Sequence, residues 1–353
     1  MGEILRLSSL VDPHVHFRTP GQEYKENFQS GSRSALAGGV TTVIDMPNNV
    51  QLVTSRKLLD RKRELGSEQS HCDIGFHLGT MGDEEQNFAE SADYVYGLKI
   101  YMNNTTGGFV VADPTKLDGI FRRWDFPQPI LVHAEGNTLE TAIRLAEKYD
   151  RRLHVCHVSL ADEVYQISEA KLKRGDRVSA EVTPHHLLES SHWSADVYHQ
   201  MKPPLSDFSD MQVLWDGLND GTIDMVATDH APHTRAEKES DRPPSGVTGL
   251  ETTLPVLLMA ERAGKITLDR IKEVTHTSPV LVFGLPEQPD TFIEVVRDEP
   301  WEIHGEDLQT QPHTTPFEGR RVLDRVERVT LRGNVVYEAG NILSEPGSGN
   351  VLP

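Results

Sequence analysis

Cysteine is scarce in this chain of 353 residues, which contains only Cys72 and Cys156. Two cysteines cannot build the disulfide framework that stabilises many small secreted domains. The scarcity therefore favours a protein of a reducing compartment, and we expect a cytoplasmic location.

Positive charge is also in short supply. The chain has 35 lysines and arginines against 54 aspartates and glutamates, which gives a formal net charge of −19. So acidic a surface repels nucleic-acid backbones and anionic membranes. We therefore expect neither as a partner, and an anionic substrate would need positive charge that is local to its site, from metal ions or a few Arg and Lys side chains.

Long hydrophobic segments are missing from the sequence. No apolar run approaches the roughly 18 residues that a membrane-spanning helix needs. The first residues include Glu3 and Arg6 and lack the apolar core of a signal peptide. The sequence thus predicts neither a membrane span nor a signal peptide.

Short β-branched runs and segments of helical periodicity alternate from residue 10 to about residue 235. The predicted strands are 10–17, 41–46, 72–79, 96–102, 129–134, 153–158, 178–183 and 223–228. The predicted helices between them are 28–37, 55–65, 84–92, 115–124, 138–149, 161–174 and 210–219. This alternation predicts an α/β fold, a (β/α)8 TIM barrel. A doubly wound sheet is the structural alternative, but the chain lacks the glycine-rich first turn expected of a nucleotide site.

The pattern changes towards the end of the chain. Two further helices are predicted at 250–262 and 268–275, and strand-like segments follow at 292–297, 301–303, 328–331 and 335–337. The Arg332-Gly333-Asn334 segment suits a hairpin turn. We expect residues 8–285 to form the barrel domain, with residues 1–7 and 286–353 forming a small β-rich appendage packed on it.

Two histidines close the first predicted strand, in the motif His14-Val15-His16. Residues two apart in a strand point to the same side, so both imidazoles could bind one metal ion. Taken alone, so short a motif is more often structural than metal-binding.

Further polar residues lie within or just after the predicted strands, and the active sites of barrel enzymes lie where the strands run out into loops. They are Arg18, Asp45, Asn48, Lys99, His133, Cys156, His157, Glu181, His185, His186, Asp229 and His233. Imidazoles from the first, fifth and sixth strands and a carboxylate from the eighth would converge at one end of the barrel. This nitrogen and oxygen ligand set suits Zn²⁺, with Mn²⁺ or Co²⁺ as substitutes.

Several motifs together resemble those of dihydroorotases in the amidohydrolase superfamily. They are VDPHVHFRTPG at 11–21, AGGVTTVIDMPNN at 37–49, GLKIYM at 97–102, VHAE at 132–135, VCHVS at 155–159 and ATDHAPH at 227–233. The match runs from residue 10 to about residue 340 and includes GLET at 249–252 and TPFEG at 315–319. The resemblance implies reversible cyclisation of N-carbamoyl-L-aspartate to L-dihydroorotate in pyrimidine biosynthesis.

The resemblance also implies a binuclear zinc site, with ligands His14, His16, Lys99, His133, His157 and Asp229. Lys99, carboxylated on its side-chain nitrogen by CO₂, would bridge the two ions. A hydroxide between the ions would be the nucleophile, and Asp229 would serve as general base and then as general acid.

Three residues are implied in substrate binding. Arg18 can form a bidentate pair with the substrate carboxylate, and Asn48 and His233 would be its hydrogen-bonding companions. Arg18 also distinguishes the chain from hydantoinase-like relatives, whose rings carry no such carboxylate.

Two other classes of function stay open. One is another cyclic amidohydrolase, such as a hydantoinase or an allantoinase. The other is a non-catalytic relative that acts as a scaffold for aspartate carbamoyltransferase, although the retained ligand set argues against it. The sequence does not show whether the protein forms a homo-oligomer or a complex with that transcarbamoylase.

Three local features carry further hypotheses. Cys156 and Glu181 border the metal ligands and could hold a third ion, although a buried cysteine is more often a small apolar residue. The polar segment 103–108 could be a lid or an ordinary exposed loop. Many relatives carry Asn-Pro-Pro-Leu-Arg after the seventh strand, where this chain has Lys202 and Ser206 at the two ends of that motif.

Overall fold

The computed structural model describes residues 3–192 and 196–353. Its strands are β1 (Ile4–Leu7), β2 (Leu10–Val15), β3 (Val40–Asp45), β4 (Asp73–Phe76), β5 (Leu78–Gly79), β6 (Leu98–Tyr101), β7 (Ile130–His133), β8 (Leu153–Val155), β9 (Val178–Val182), β10 (Met225–Val226), β11 (Phe292–Val296), β12 (Trp301–Glu302), β13 (Arg321–Val322), β14 (Arg325–Leu331), β15 (Asn334–Glu338) and β16 (Asn341–Ile342). Its helices are α1 (Phe28–Ala37), α2 (Arg56–Gln69), α3 (Phe88–Ser91), α4 (Pro114–Arg123), α5 (Asn137–Tyr149), α6 (Ala161–Arg174), α7 (Pro184–Leu188), α8 (Phe208–Asp220), α9 (Arg235–Lys238), α10 (Thr253–Arg262), α11 (Leu268–Lys272) and α12 (Ser278–Phe283).

Local signals explain why the first helix begins and ends where it does. The side chain of Asn27 accepts a hydrogen bond from the Ser30 backbone, and Ser30 bonds back to the Asn27 N–H, so the two form a capping box. After α1 the chain turns at Gly39, whose φ of +80° suits glycine. Helix α1 therefore spans the residues predicted for it. Helix α6 also has its predicted bounds.

One predicted helix is wrong. Residues 84–92 form no continuous α-helix, because two 3₁₀ turns (Glu85–Asn87 and Ala92–Tyr94) flank the four-residue α3. The carboxylate of Glu84 accepts a hydrogen bond of 2.9 Å from the Met81 N–H, which ties the start of this segment back to the preceding loop. At another place a helix continues further than expected, since a π-helical turn at Glu273–Thr277 joins α11 to α12.

The parallel strands confirm the predicted alternation of strands and helices. They do not form one closed barrel with a continuous ladder of hydrogen bonds between neighbouring strands. They fall into a six-stranded sheet, β10-β9-β8-β7-β6-β5, and a three-stranded sheet, β2-β3-β4. The third predicted strand breaks at His77, whose N–H donates to Asp45 (3.1 Å), whereas the next N–H, of Leu78, donates to Gly97 (2.9 Å). At the other gap the His16 N–H donates to the His230 carbonyl over 2.8 Å. The fold is therefore a TIM-barrel-like α/β arrangement in which backbone hydrogen bonds join the two sheets, from His16 to His230 at one gap and from Tyr96 to Phe76 (2.9 Å) at the other.

An antiparallel sheet lies outside the parallel strands. Its order is β1-β11-β14-β15-β16, so the first strand pairs with segments from the end of the chain. The predicted hairpin is confirmed: Leu331 pairs with Asn334, and the two residues between them, Arg332 and Gly333, both have positive φ. The strand predicted at 301–303 pairs instead with β13, in a separate two-stranded sheet. Residues 1–2 and 193–195, which belong to the predicted appendage and barrel domain, lie outside the described residues.

The arrangement of the strands decides where chemistry can occur. Both faces of the parallel strands are buried, and their carboxyl ends run out into loops at one end of the fold. Within the described ranges, no helix is both long enough and apolar enough to cross a membrane.

Candidate active site

A cleft opens at the carboxyl ends of the parallel strands, with about 430 Å³ of empty space including its mouth. It is lined by His14, His16, Arg18, Asn48, Lys99, Tyr101, Thr105, Thr106, His133, His157, Lys202, Asp229, Ala231, Ser245 and Gly246. The structure therefore brings together the six predicted metal ligands and two of the three predicted substrate residues.

The carboxylate of Asp229 faces the two histidines of the first barrel strand. Its Oδ1 atom lies 3.3 Å from His14 Nε2 and 3.0 Å from His16 Nε2. The two imidazole rings are 5.3 Å apart between their centroids. These three side chains come from opposite ends of the barrel sequence and meet because β2 and the segment after β10 are neighbours.

Lys99, His133 and His157 form the other half of the cluster. Lys99 is completely buried, and its Nζ donates to Cys156 Sγ over 2.9 Å. His133 Nδ1 lies 2.9 Å from His157 Nε2. Among the described residues, Lys99 makes no ion pair, so its ammonium would be buried without a compensating carboxylate.

Hydrogen bonding around His16 and His14 supports a cation between these residues and Asp229. His16 Nδ1 lies 2.6 Å from Asn48 Oδ1, and His14 Nδ1 contacts the Glu181 carboxylate. Each histidine thus presents one nitrogen to an outer acceptor and the other to Asp229. In the neutral form each imidazole has a single N–H, and with that N–H on the outer nitrogen the inner nitrogen would offer a lone pair. Metal-ligating histidines have this arrangement, in which an outer carboxylate or carbonyl accepts from the second nitrogen.

The donor set also fits a metal ion. Ligand atoms of His14, His157 and Asp229 all lie within 4.8 Å of one another. The Nδ1 atom of His157 is buried and has no hydrogen-bond partner among the described residues. Nitrogen and carboxylate donors gathered in this way are the ligands that Zn²⁺ prefers.

The electrostatics of the cluster favour positive charge at His14. Burial lowers the pKa of His14, but the carboxylates of Glu181 and Asp229 outweigh burial and raise it to about 10. Burial instead dominates at His16, whose pKa falls to about 4. For Asp229 burial alone would raise the pKa, but His14 and His16 hold it well below its usual range. Such a potential attracts a metal cation for the same reason that it attracts a proton.

The two residues named for a third ion lie beside the main cluster. His14, Cys156 and Glu181 form a second group whose ligand atoms are within 4.8 Å of one another. Glu181 is completely buried, and its second oxygen accepts a hydrogen bond of 2.9 Å from His154 Nε2. Both carboxylate oxygens are therefore already engaged by histidines.

Three residues of the site have a backbone conformation that side chains other than glycine rarely adopt. The φ angles are +60° at Arg18, +37° at His157 and +46° at Asp229. Each follows the end of a parallel strand, where the chain leaves the sheet. Strained backbone of this kind concentrates at functional sites, because the surrounding structure must hold it in place.

Asp12 stabilises one of these turns. One oxygen of its carboxylate accepts from the backbone N–H of Thr228 and from that of His14, each over 3.2 Å. Burial raises the pKa of Asp12 to about 7, although hydrogen bonds from Thr228 oppose the rise. Asp12 thus connects the first barrel strand to the residue before Asp229.

Two of the three predicted substrate residues line the cleft. Arg18 is buried, its Nε donates to the Pro232 carbonyl over 3.1 Å, and one terminal nitrogen lies 3.3 Å from His233 Nε2. Asn48 lines the cleft beside His16, whereas His233 does not line it and contacts two residues that do, Arg18 and Ser245. A guanidinium held along one edge in this way can present its other nitrogens to a carboxylate.

The two departures from the family motif have different positions. Lys202 lines the cleft, where it adds positive charge. Ser206 is buried and lines none of it, and its carbonyl accepts from the Ser191 N–H over 3.0 Å. Only the lysine can therefore meet a ligand.

Sequence reasoning missed two buried lysines that support the site, Lys25 and Lys62. Lys62 lies on the same helical face as Leu59 and Gly66, three and four residues away, and this spacing was a usable signal. Lys25 stands in a polar loop segment, and no periodicity could have pointed to its burial. Tyr101, Ser245 and Gly246 also line the cleft without having been predicted.

Comparisons with known proteins agree with the motifs. The model of the amidohydrolase family matches residues 7–288. A dihydroorotase of Methanosarcina acetivorans is 33% identical over 402 residues, which cover 99% of this chain and 85% of that protein. The multifunctional protein CAD of Squalus acanthias is 39% identical over 350 residues, which cover 98% of this chain, and the chain spans only 16% of that protein's length.

A structural comparison supports the fold. The L-hydantoinase (dihydropyrimidinase) of Arthrobacter aurescens superposes with a TM-score of 0.93 at 24% sequence identity, covering 99% of this chain and 88% of that one. The resemblance to dihydroorotases that the motifs indicated is confirmed by the curated relatives. The chain belongs to the amidohydrolase family.

Proposed function

We propose that this protein is a dihydroorotase, which interconverts N-carbamoyl-L-aspartate and L-dihydroorotate in de novo pyrimidine biosynthesis. The observation that carries the proposal is the buried Arg18 in the same cleft as the histidine and aspartate cluster. The cluster suits hydrolysis of a cyclic amide, and the arginine suits the carboxylate that distinguishes dihydroorotate from other cyclic amides. Relatives named dihydroorotase support the same activity.

We propose two zinc ions as the cofactors. His14, His16 and Asp229 would hold one ion, His133 and His157 the other, and Lys99 would bridge them. When bound, the ions would polarise the amide carbonyl and lower the pKa of water.

Lys99 would serve as a bridging ligand in its carboxylated form. The ammonium first loses one proton, and the free amine then attacks CO₂: a new N–C bond forms, one C–O π bond breaks, and a second proton leaves the nitrogen. A buried cationic group thereby becomes an anionic one. The change suits a nitrogen that is buried without a carboxylate partner and whose positive charge acts to lower the pKa of His14, His133 and His157. A free ammonium cannot ligate a metal, whereas a carbamate offers two oxygens.

Asp229 would move the proton. In ring opening one of its carboxylate oxygens accepts a proton from water while the new C–O bond forms. The ring C–N bond then breaks, and Asp229 returns the proton to the leaving nitrogen. The position of its carboxylate is fixed by His14 and His16, at 3.3 and 3.0 Å. In ring closure the same steps run in reverse and release water.

Substrate orientation would depend on Arg18, Asn48 and His233. Because His16 Nδ1 donates to Asn48 Oδ1 over 2.6 Å, the amide oxygen of Asn48 is engaged and its NH₂ group can donate to a substrate oxygen. Arg18 would bind the carboxylate, and Lys202 would add positive charge at the rim.

The assay compares three cyclic substrates. Zinc-loaded protein is incubated with L-dihydroorotate, hydantoin and allantoin, and ring opening is followed for each, with Asp229→Asn as the inactive control. We expect turnover of dihydroorotate alone. No turnover of dihydroorotate at full metal occupancy would refute the proposal, and turnover of hydantoin or allantoin in its place would favour the corresponding alternative. The non-catalytic scaffold would turn over none of the three.

We propose a third ion only as a subordinate hypothesis, held by His14, Cys156 and Glu181. Metal analysis of the purified protein decides it, since two ions or fewer per chain would exclude this site. The hydrogen bonds from His14 and His154 to Glu181 argue instead for a carboxylate that orients the histidine.

The larger organisation is also proposed. We propose that residues 8–285 form one (β/α)8 barrel and that residues 1–7 and 286–353 form its appendage. We further propose a cytoplasmic protein that works in a multienzyme context, since the chain matches part of a multifunctional relative. Size-exclusion chromatography alone and with aspartate carbamoyltransferase would test for a homo-oligomer and for this complex.

A further inference from the structure

Lys25 is a buried lysine that contacts a substrate-binding candidate rather than solvent. Its side chain is almost fully enclosed, with Nζ 3.2 Å from His233 Nδ1 and 3.0 Å from Glu237 Oε1. The loop after β2 thereby reaches across to the segment after β10. The contact with His233 is the unusual one, because a lysine gains little from an imidazole unless the imidazole accepts a hydrogen bond.

The ammonium decides which nitrogen of His233 carries the proton. A lysine ammonium can only donate, so His233 Nδ1 must accept and cannot carry a hydrogen. The single proton of neutral His233 then lies on Nε2. That atom is 3.1 Å from the Ser245 carbonyl, which can only accept. Both nitrogens are therefore satisfied in this one tautomer.

Charge around the ring keeps His233 neutral. Burial lowers the pKa of His233 well below its usual range, and the nearby Arg18, Lys25 and Lys238 lower it further. Glu237 is the opposing charge, 3.8 Å from His233 Nδ1, and Lys25 lies between its carboxylate and the ring. In a doubly protonated imidazole the Nδ1–H group would face the Lys25 ammonium, and both groups can only donate a hydrogen bond.

The tautomer has a consequence for Arg18. One terminal nitrogen of Arg18 lies 3.3 Å from His233 Nε2. With Nε2 protonated, both atoms are donors, so His233 cannot accept a hydrogen bond from Arg18. In the opposite tautomer Nε2 would accept from the guanidinium and occupy one of the donors that the carboxylate of a substrate needs.

We infer that Lys25 is a positioning residue that fixes the Nε2–H tautomer of His233 and so keeps the guanidinium of Arg18 available for the substrate carboxylate. The inference rests on the proposed function as far as the substrate is concerned. The tautomer itself does not depend on turnover.

Nitrogen-15 NMR of the histidine side chains in the full-length protein tests the first step. The His233 signals are assigned by comparison with His233→Gln, and the protonated and unprotonated ring nitrogens differ widely in chemical shift. We expect wild-type His233 to be neutral with the proton on Nε2. A proton on Nδ1, or a mixture of both tautomers, would overturn the inference without any variant.

The variant Lys25→Met tests the cause. It keeps the length of the side chain and removes the donor, so His233 should redistribute towards the Nδ1–H form. Tyr24→Phe is the matched control, because Tyr24 donates to the same Glu237 oxygen over 3.1 Å and lies on the exposed side, away from His233. We expect Tyr24→Phe to leave the tautomer unchanged. An unchanged tautomer in Lys25→Met, or an equal change in both variants, would refute the role of Lys25.

Kinetics with L-dihydroorotate test the consequence. Loss of one charged hydrogen bond should raise KM about tenfold in Lys25→Met and leave kcat within about twofold. A fall in kcat at constant KM would contradict the inference, since it would indicate general damage to the site. If wild type does not turn over dihydroorotate, the proposed function fails while the NMR result still decides the tautomer. If wild type turns it over and the tautomer does not respond, only the inference about Lys25 fails.

Discussion

Lys62 and Asp45 form a buried ion pair, with Nζ 2.8 Å from Oδ2 and side chains that are 0% and 1% exposed. The other oxygen of Asp45 accepts from the Phe17 N–H over 2.8 Å, and Lys62 Nζ also donates to the Met46 carbonyl over 2.6 Å. The pair thus connects helix α2 to the residues that precede both Arg18 and Asn48. Through these contacts helix α2 fixes the backbone of the loops that carry the proposed substrate residues Arg18 and Asn48.

The first prediction concerns the stability of this pair. Lys62→Met should lower the free energy of unfolding by about 3–5 kcal/mol, because it leaves a buried carboxylate without its counter-ion. Chemical denaturation measures the loss. The double variant Lys62→Met with Asp45→Asn should lose less than the sum of the single variants, since no charge then remains unpaired. A loss below about 1 kcal/mol in Lys62→Met would show that the pair is unimportant.

The second prediction concerns Lys99 and the metals. Lys99→Ala should lose most of the bound zinc and keep its fold, because the variant removes the proposed bridging ligand together with an amine that is buried without a carboxylate partner. Elemental analysis measures the zinc and circular dichroism the fold. Lys148→Ala, which removes an exposed lysine paired with Asp118, is the control and should retain zinc. Full zinc occupancy in Lys99→Ala would rule out a bridging role.

The third prediction concerns Arg18. Arg18→Lys should raise KM for dihydroorotate by roughly 10- to 100-fold, because lysine keeps the charge but not the planar fork that binds a carboxylate through two parallel bonds. The zinc content should not change, since Arg18 is not a proposed ligand. Steady-state kinetics and elemental analysis on the same preparation provide the two readouts. An unchanged KM would contradict a direct contact between Arg18 and substrate.

The fourth prediction concerns the segment 103–108. Thr105 and Thr106 line the cleft, and the Thr106 hydroxyl donates to the Ser245 carbonyl over 2.9 Å. If this segment is a lid, a ligand at about ten times its dissociation constant should slow proteolytic cleavage there by about tenfold. Limited proteolysis with and without dihydroorotate measures the rate. Equal rates would identify an ordinary exposed loop.

The fifth prediction concerns pH and Glu251. Burial raises the pKa of this carboxyl to about 7, although hydrogen bonds from the Gln309 and Thr310 backbones and from the Ser34 hydroxyl lower it in part. The pKa is higher in the folded state than in the unfolded state. Ionisation of the carboxyl therefore costs more free energy in the folded state and lowers the free energy of unfolding. Stability should therefore be lost as the pH rises from about 4.5 to 7, by roughly 2–3 kcal/mol.

Glu251→Gln isolates this effect. The variant should show a weaker decrease in unfolding free energy over the same pH range, because glutamine does not ionise and can still accept hydrogen bonds. Urea denaturation at several pH values measures both proteins. Parallel pH dependences of wild type and variant would contradict the assignment to Glu251.

The sequence alone predicted much of the fold and most of the side chains that were expected to meet in one cleft. Helix α1 was set by a capping box and a glycine stop, and the hairpin at Arg332 and Gly333 by residues that tolerate positive φ. These are local signals, which depend on neighbouring residues only. The site motifs could be found for the same reason, since parallel strands place their carboxyl ends at one edge whatever the details of packing.

Only the tertiary structure decided which side chains support those motifs. The ion pair of Lys62 with Asp45 joins residues 17 positions apart in sequence, and Lys25 reaches His233 across more than 200 residues. The third predicted strand likewise breaks at His77 because successive backbone N–H groups donate to different neighbouring segments. Burial and hydrogen-bond partners are properties of the packed chain. The sequence therefore predicted which side chains gather at the cleft, and packing decided their geometry and electrostatics.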